Sequence, residues 1–88
     1  MKIQRISYSS RFTRSLKKLP SEIKPILRTR EKIFLQDCFD PRLKTHKLSG
    51  VLKNFWSFSI TYSHRVMFYF DEQDKVTFVD VGDHDIYQ

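Results

Sequence analysis

The spacing of apolar positions changes period twice along this chain. Ile6 and Tyr8 alternate with Arg5 and Ser7, which predicts a short strand over residues 2–8. From Phe12 the spacing turns helical. Phe12, Leu16 and Leu19 recur on one face, with Arg11, Arg14, Lys17 and Lys18 around them. Ser9 and Ser10 offer an N-cap, and Pro20 stops the helix. Ser21 can cap a second helix, Glu22 suits its first turn, and Pro25 falls where a missing N–H costs least. Ile23, Ile26, Leu27, Phe34 and Cys38 share a face of it, bordered by Ile33. Asp40-Pro41 ends the pair, because a residue before proline avoids helical geometry. Two helices joined this closely predict an antiparallel hairpin.

Period two then returns. Trp56, Phe58, Ile60 and Tyr62 alternate with Ser57, Ser59 and Thr61, the pattern of a half-buried strand. Tyr62-Ser63-His64 makes a tight connection. Residues 65–70 are apolar on both faces after Arg65, so this strand is central. Asp71-Glu72-Gln73-Asp74 is a polar turn, and residues 76–81 form the last strand. Gly82 takes the chain out of the sheet, where a positive φ is often needed. The order is strand, helix hairpin, then a three-stranded antiparallel meander. One face of that sheet needs cover, and the helices are the only cover on offer. The expectation is a two-layer α+β domain spanning residues 1–88, with the second face of the sheet open.

Composition narrows the function classes. Eighty-eight residues suit one domain, and 15% aromatic content with only two glycines argues for a folded chain. No apolar stretch is long enough to cross a bilayer, and Met1-Lys2-Ile3-Gln4-Arg5 lacks the apolar run of a signal peptide. The single Cys38 offers neither an internal disulfide nor metal-site spacing. A cytoplasmic protein with no cofactor and no membrane contact is expected. Charge adds a direction. Residues 1–53 carry 14 Lys and Arg against 4 Asp and Glu, whereas residues 54–88 carry 2 against 6. A basic first half points toward a polyanion, with RNA or DNA first and an acidic protein second.

The candidate chemistry gathers at the ends of the meander. His46 precedes it, His64 sits in its first turn and His84 follows its last strand, and these are all three histidines of the chain. Imidazoles titrate near neutrality, and loops on a rigid sheet are where such groups can be positioned for work. Asp80, Asp83, His84 and Asp85 lack a recognisable metal-binding loop pattern, so no metal is assigned to them. No nucleophilic Ser or Cys constellation and no phosphate-binding glycine loop is present.

Taken together these residues resemble a family. The element order, the basic hairpin, His46-Lys47-Leu48-Ser49-Gly50 with Lys53 following, Arg65 opening the central strand and the ending Gly82-Asp83-His84-Asp85-Ile86-Tyr87 are similar to the RelE/ParE superfamily of toxins from type II toxin–antitoxin pairs. The start and end motifs look closest to its YafQ-like branch. The resemblance implies a ribosome-dependent, metal-independent endoribonuclease (an mRNA interferase). In such an enzyme the RNA 2′-hydroxyl attacks the adjacent phosphate of an mRNA in the ribosomal A site. It also implies a cognate antitoxin as partner, with which the toxin can form a hetero-oligomer.

Chemistry of that kind needs a base, an acid and cations for the pentavalent phosphate. By the resemblance, His46 and His84 match functional histidines and take the acid and base roles. Arg65 and Lys53 stabilise phosphate charge, and Tyr87 packs on or acts at the substrate. Lys47, Trp56 and His64 complete the expected RNA-contacting set, with His64 at or next to a position where the branch has an aspartate. One departure stands out. The last strand of active members commonly carries an arginine where this chain has Asp80, and an acid near a developing phosphate charge opposes catalysis. Two other readings therefore stay open: a ParE-like inhibitor of DNA gyrase, and a non-toxic homologue that only binds an antitoxin.

Overall fold

The computed structural model describes residues 1–87. Its elements are β1 (Arg5–Tyr8), α1 (Ser10–Lys18), α2 (Lys24–Gln36), β2 (His46–Lys47), β3 (Trp56–Ser59), β4 (Arg65–Glu72) and β5 (Lys75–Gly82). Short 3₁₀ turns lie at Pro41–Leu43, Gly50–Leu52 and His84–Tyr87. The strands form one sheet in the order β1-β5-β4-β3-β2.

The sheet is larger than the meander and it is mixed. β3, β4 and β5 pair antiparallel as expected. β1 adds to the outer side of β5 in parallel, with Ile6 opposite Val76 and Tyr8 opposite Phe78. β2 adds two residues to the other edge, His46 opposite Ser57 and Lys47 opposite Trp56. Two residues are too few for any periodicity, so the pattern could not announce this strand. β3 is shorter than its alternation suggests. It stops at Ser59, because His64 turns its carbonyl back onto the N–H groups of Ile60 (2.8 Å) and Thr61 (3.3 Å). Tyr62 is therefore not a strand residue but the tip of the turn, 95% exposed.

Both helices cover one face. α1 starts where Ser9 accepts the N–H of Phe12 at 3.0 Å, the cap its sequence offers. α2 starts two residues later than a cap at Ser21 would place it, with Ile23 as the cap. The Ile23 N–H closes a turn onto the Pro20 carbonyl at 2.9 Å, which keeps Ser21 outside the helix. Ile23 then stands at the cap without a side-chain bond, and Pro25 occupies the first turn. The helix ends at Gln36, so Cys38 lies beyond it in the following turn, still fully buried.

The core is aromatic. Phe34 of α2 sits against Phe58, Phe68 and Phe78, one from each central strand, with ring centroids 4.9, 5.0 and 5.4 Å away. Phe12 of α1 joins Phe78 at 5.5 Å. Rings at these separations stack or meet edge to face, which adds to the gain from burial alone. A groove of about 460 Å³ runs between the two helices. Phe12, Leu16 and Leu27 line it, and Tyr8 donates a hydrogen bond to Glu31 there. No helix among the described residues is long and apolar enough to cross a membrane.

Candidate functional site

The site is built on the sheet face away from the helices. Alternation in β3 sends Trp56 and Phe58 toward the helices and Ser57 and Ser59 the other way. Residues directly opposite in an antiparallel ladder share a face, so the register fixes their neighbours. Ser57 lies between His46 of β2 and Met67 of β4, and Ser59 lies opposite Arg65. His46, Ser57, Ser59, Arg65 and Met67 thus share one face, across three strands spaced about 4.8 Å apart.

That face is not left open. After β5 the chain turns back over it through the segment His84–Tyr87, and the Tyr87 hydroxyl meets Ser57 Oγ at 2.6 Å. To reach β3 from β5 the turn must cross β4, which accounts for Ser57 and Met67 being buried on a face with no helix. Gly82 serves this return. A Cβ at Gly82 would stand 2.9 Å from Ile86 Cγ2, closer than carbon atoms approach, so the glycine is required for tight packing of the turn. Its φ is not positive. Among the described residues only Lys44 (φ 52°) and Gly50 (φ 66°) have that geometry.

Three of the residues singled out by sequence come together here. The Arg65 guanidinium donates to Ser59 Oγ at 2.6 Å and makes no ion pair among the described residues. Tyr87 rests on Ser57, the neighbour of Ser59 on this face. His46 flanks Ser57 from the other side and is exposed, with Nδ1 3.0 Å from the Lys44 carbonyl oxygen. A carbonyl can only accept, so Nδ1 carries the hydrogen and Nε2 keeps the lone pair in the neutral ring. The backbone therefore fixes the tautomer and leaves Nε2 free to take up a proton.

His84 lies two residues past Gly82, the residue opposite Arg65. It is exposed, and its ring makes no hydrogen bond among the described residues. Lys47 and Lys53 are exposed near the β2 edge. His64 is held in the β3–β4 turn, its Nδ1 3.1 Å from Ser63 Oγ and 3.3 Å from Thr61 Oγ1. Trp56 faces the helices, packed edge to face on Phe70 at 5.5 Å and Phe39 at 5.6 Å. Among the described residues no group of three or more His, Cys, Asp or Glu side chains gathers as a metal would require.

Asp80 has a different place from the one its position in the last strand suggests. β1 ends opposite Phe78, and from there α1 runs alongside β5: Ser9 Oγ donates to the Val79 carbonyl at 2.7 Å. Met67 pairs with Asp80 and Phe68 with Phe78, so Val79 is an extra residue in the β5 ladder. The Asp80 carboxylate reaches α1 and is 4% exposed. It accepts from Ser15 Oγ at 2.5 Å and from the Val81 N–H at 2.9 Å, and pairs with Arg11 Nε at 2.9 Å. Its charge is met by Arg11, not by Arg65.

One feature of the neighbourhood escaped the sequence. Arg30 belongs to the basic helix hairpin. Its Nε donates to the Ile60 carbonyl at 3.3 Å, which brings a cation of α2 to the end of β3. The only sequence signal was Arg30 itself, one basic residue among many.

No protein-family model and no curated protein sequence matches the chain. Solved structures do. The YoeB/ParE toxin from Agrobacterium tumefaciens aligns with 92% of this chain and 99% of its own at 13% identity and a TM-score of 0.77. A YafQ mutant from E. coli aligns over 96% and 98% at 15% identity and a TM-score of 0.75. A chain of the E. coli DinJ-YafQ toxin-antitoxin complex aligns over 98% and 97% at 14% identity and a TM-score of 0.76. Superposition is nearly end to end at identities that leave few side chains in common. The chain has the fold of the RelE/ParE-like toxins.

Proposed function

We propose that this chain is the toxin of a type II toxin–antitoxin pair and an mRNA endoribonuclease that works on the ribosome in the cytoplasm. The observation that carries the reading is the grouping of His46, Arg65 and Tyr87 around Ser57 and Ser59 on one sheet face, with His84 at the adjoining end of β5. The toxin fold supports it, and so does the withdrawal of Asp80 to Arg11, since the acid that would oppose phosphate chemistry is neutralised elsewhere.

The chemistry follows from the groups. His46 Nε2 takes the proton of the RNA 2′-hydroxyl as its oxygen attacks the adjacent phosphorus. A bond from that oxygen to phosphorus forms, the bond to the 5′-oxygen of the next nucleotide breaks, and His84 returns a proton to that leaving oxygen. The products are a 2′,3′-cyclic phosphate and a 5′-hydroxyl. Arg65 neutralises the charge that builds on the phosphoryl oxygens, a fixed cation on a rigid strand. Lys53 and Lys47 add positive potential for the strand's backbone. The partner is an antitoxin whose acidic segment complements the basic half of the chain.

Primer extension on an mRNA under translation tests this. New stops in phase with codons are expected with the protein and absent without ribosomes. His84→Ala or His46→Ala removes an acid–base group and should lower cutting by about 10²–10⁴-fold with the fold intact. If folded wild-type protein produces no stops, the nuclease reading fails and gyrase inhibition is the next assay.

A further inference from the structure

At the end of β3 lies a second cavity, of about 240 Å³, bounded by α2, the Pro41–Leu43 turn and the β3–β4 turn. Four cations line it: Arg30, Arg42, Lys44 and Arg65. No acidic side chain lines it among the described residues. Four like charges around one hollow repel each other, and folding alone gives no reason to gather them. Arg42 is partly answered from outside by Asp40, at 2.9 Å. Arg30, Lys44 and Arg65 make no ion pair among the described residues.

Two further observations point to a ligand. Arg30 and Arg65 are each anchored by a hydrogen bond to β3 or its end, to the Ile60 carbonyl and to Ser59 Oγ, which holds two guanidinium groups in place. Lys44 is the one non-glycine residue with positive φ among those described, at φ 52° and ψ 40°. That conformation is unfavourable for a lysine, and strained backbone clusters where function requires it. It also sets the Lys44 carbonyl that orients His46. Beside the cavity stands Tyr62, an aromatic ring 95% exposed at the tip of its turn.

We propose that this cavity binds a phosphate of a single-stranded nucleic acid and that Tyr62 stacks on the base attached to it. A hollow of about 240 Å³ open to solvent has room for a phosphodiester group that is still partly hydrated. Fixed guanidinium forks suit phosphate oxygens, and an aromatic face stacks on any base. Arg65 is shared with the candidate active site, so the cavity holds the nucleotide flanking the one cut. The identity of the strand as RNA rests on the nuclease reading; the anion chemistry does not.

The test is fluorescence anisotropy of a dye-labelled 2′-O-methyl hexauridylate, which the protein cannot cleave, titrated at several salt concentrations without ribosomes. Lys44→Asn removes one charge and keeps a residue that tolerates the left-handed backbone. It should weaken binding and reduce the slope of log K against log salt by about 0.7. Tyr62→Leu should weaken binding about tenfold with the slope unchanged. Arg14→Gln, on the exposed surface of α1, is the control for diffuse attraction.

Equal losses for Lys44→Asn and Arg14→Gln would overturn the proposal. So would Lys44→Asn losing affinity for an oligoglutamate peptide but not for the oligonucleotide, which would make the cavity a protein-binding site. The two readings separate cleanly. Wild-type protein that cuts on the ribosome while Lys44→Asn and Tyr62→Leu bind the oligonucleotide normally defeats the cavity alone. Protein that binds as described but yields no ribosome-dependent stops defeats the nuclease alone.

Discussion

The two faces of the sheet are made by the same strands and solve opposite problems. Toward the helices, Phe58, Phe68 and Phe78 close on Phe34 with no exposed surface. Away from them, Ser57, Ser59 and Arg65 alternate with those same residues and are covered only by the C-terminal turn through Tyr87. One face excludes water and needs no particular chemistry. The other buries Ser57 beneath Tyr87 but keeps the Ser59 hydroxyl, a guanidinium and an imidazole within reach of solvent, held by hydrogen bonds to one another and to backbone. A rigid dry layer behind a polar layer lets side chains that contribute little to stability be held in fixed positions.

The largest test of this division is Phe34→Ala. It leaves a cavity among three rings and should cost about 3–5 kcal/mol, measured as the free energy of unfolding in urea. A small domain has only about 5–15 kcal/mol in total, so the variant should be close to unfolding at 37 °C. A loss below about 1 kcal/mol would mean that the helix layer does not hold the sheet as described.

Asp80→Ala comes next. A buried carboxylate with three partners is removed, which strands the Ser15 hydroxyl and the Val81 N–H and frees half-exposed Arg11. The loss should be about 2 kcal/mol, in the range for hydrogen bonds to charged groups. Arg11→Ala paired with it in a double-mutant cycle should show coupling. The functional half is sharper. If Asp80 serves α1 and not the substrate, the folded fraction of Asp80→Ala should cut mRNA at the wild-type rate. A faster rate would place the carboxylate in the site after all.

Much of the dry face was legible in the sequence, and less of the wet one. Strict alternation in residues 56–59 and the doubly apolar run from 65 to 70 gave the central strands, and Ser9 gave the start of α1. The edges were not legible. β1 pairs with a strand seventy residues away, and nothing local records its parallel direction. The extra residue at Val79 is invisible to a count of alternation, and Asp80 lies just beyond it. The cationic cavity depends on Arg30 meeting Ile60 across the domain, a contact that no helical periodicity encodes. His46 and His84 could be singled out as histidines at the edges of the meander, whereas Arg65 and Tyr87 took their expected roles from the resemblance to the RelE/ParE superfamily.

The smallest effect separates two tyrosines that bond through their hydroxyls on opposite faces. Tyr87 meets a neutral serine on the candidate site, whereas Tyr8 on the helix side donates to the Glu31 carboxylate. Partial burial against Phe12 and Phe78, then the bond to Glu31 and its negative charge, push the Tyr8 hydroxyl well above its ordinary value of 10.0. A folded-state value above the unfolded one means that the native state holds its proton longer. The stabilisation is then fully present below pH 10 and is lost as pH rises toward the folded-state value. Absorbance at 295 nm should show a tyrosine ionisation step well above pH 10, and Tyr8→Phe should remove that step. The stability difference between wild type and Tyr8→Phe should be flat from pH 7 to pH 9 and shrink above pH 10. A late step that persists in Tyr8→Phe would assign it to another hydroxyl, and Tyr87→Phe would then be the variant to titrate.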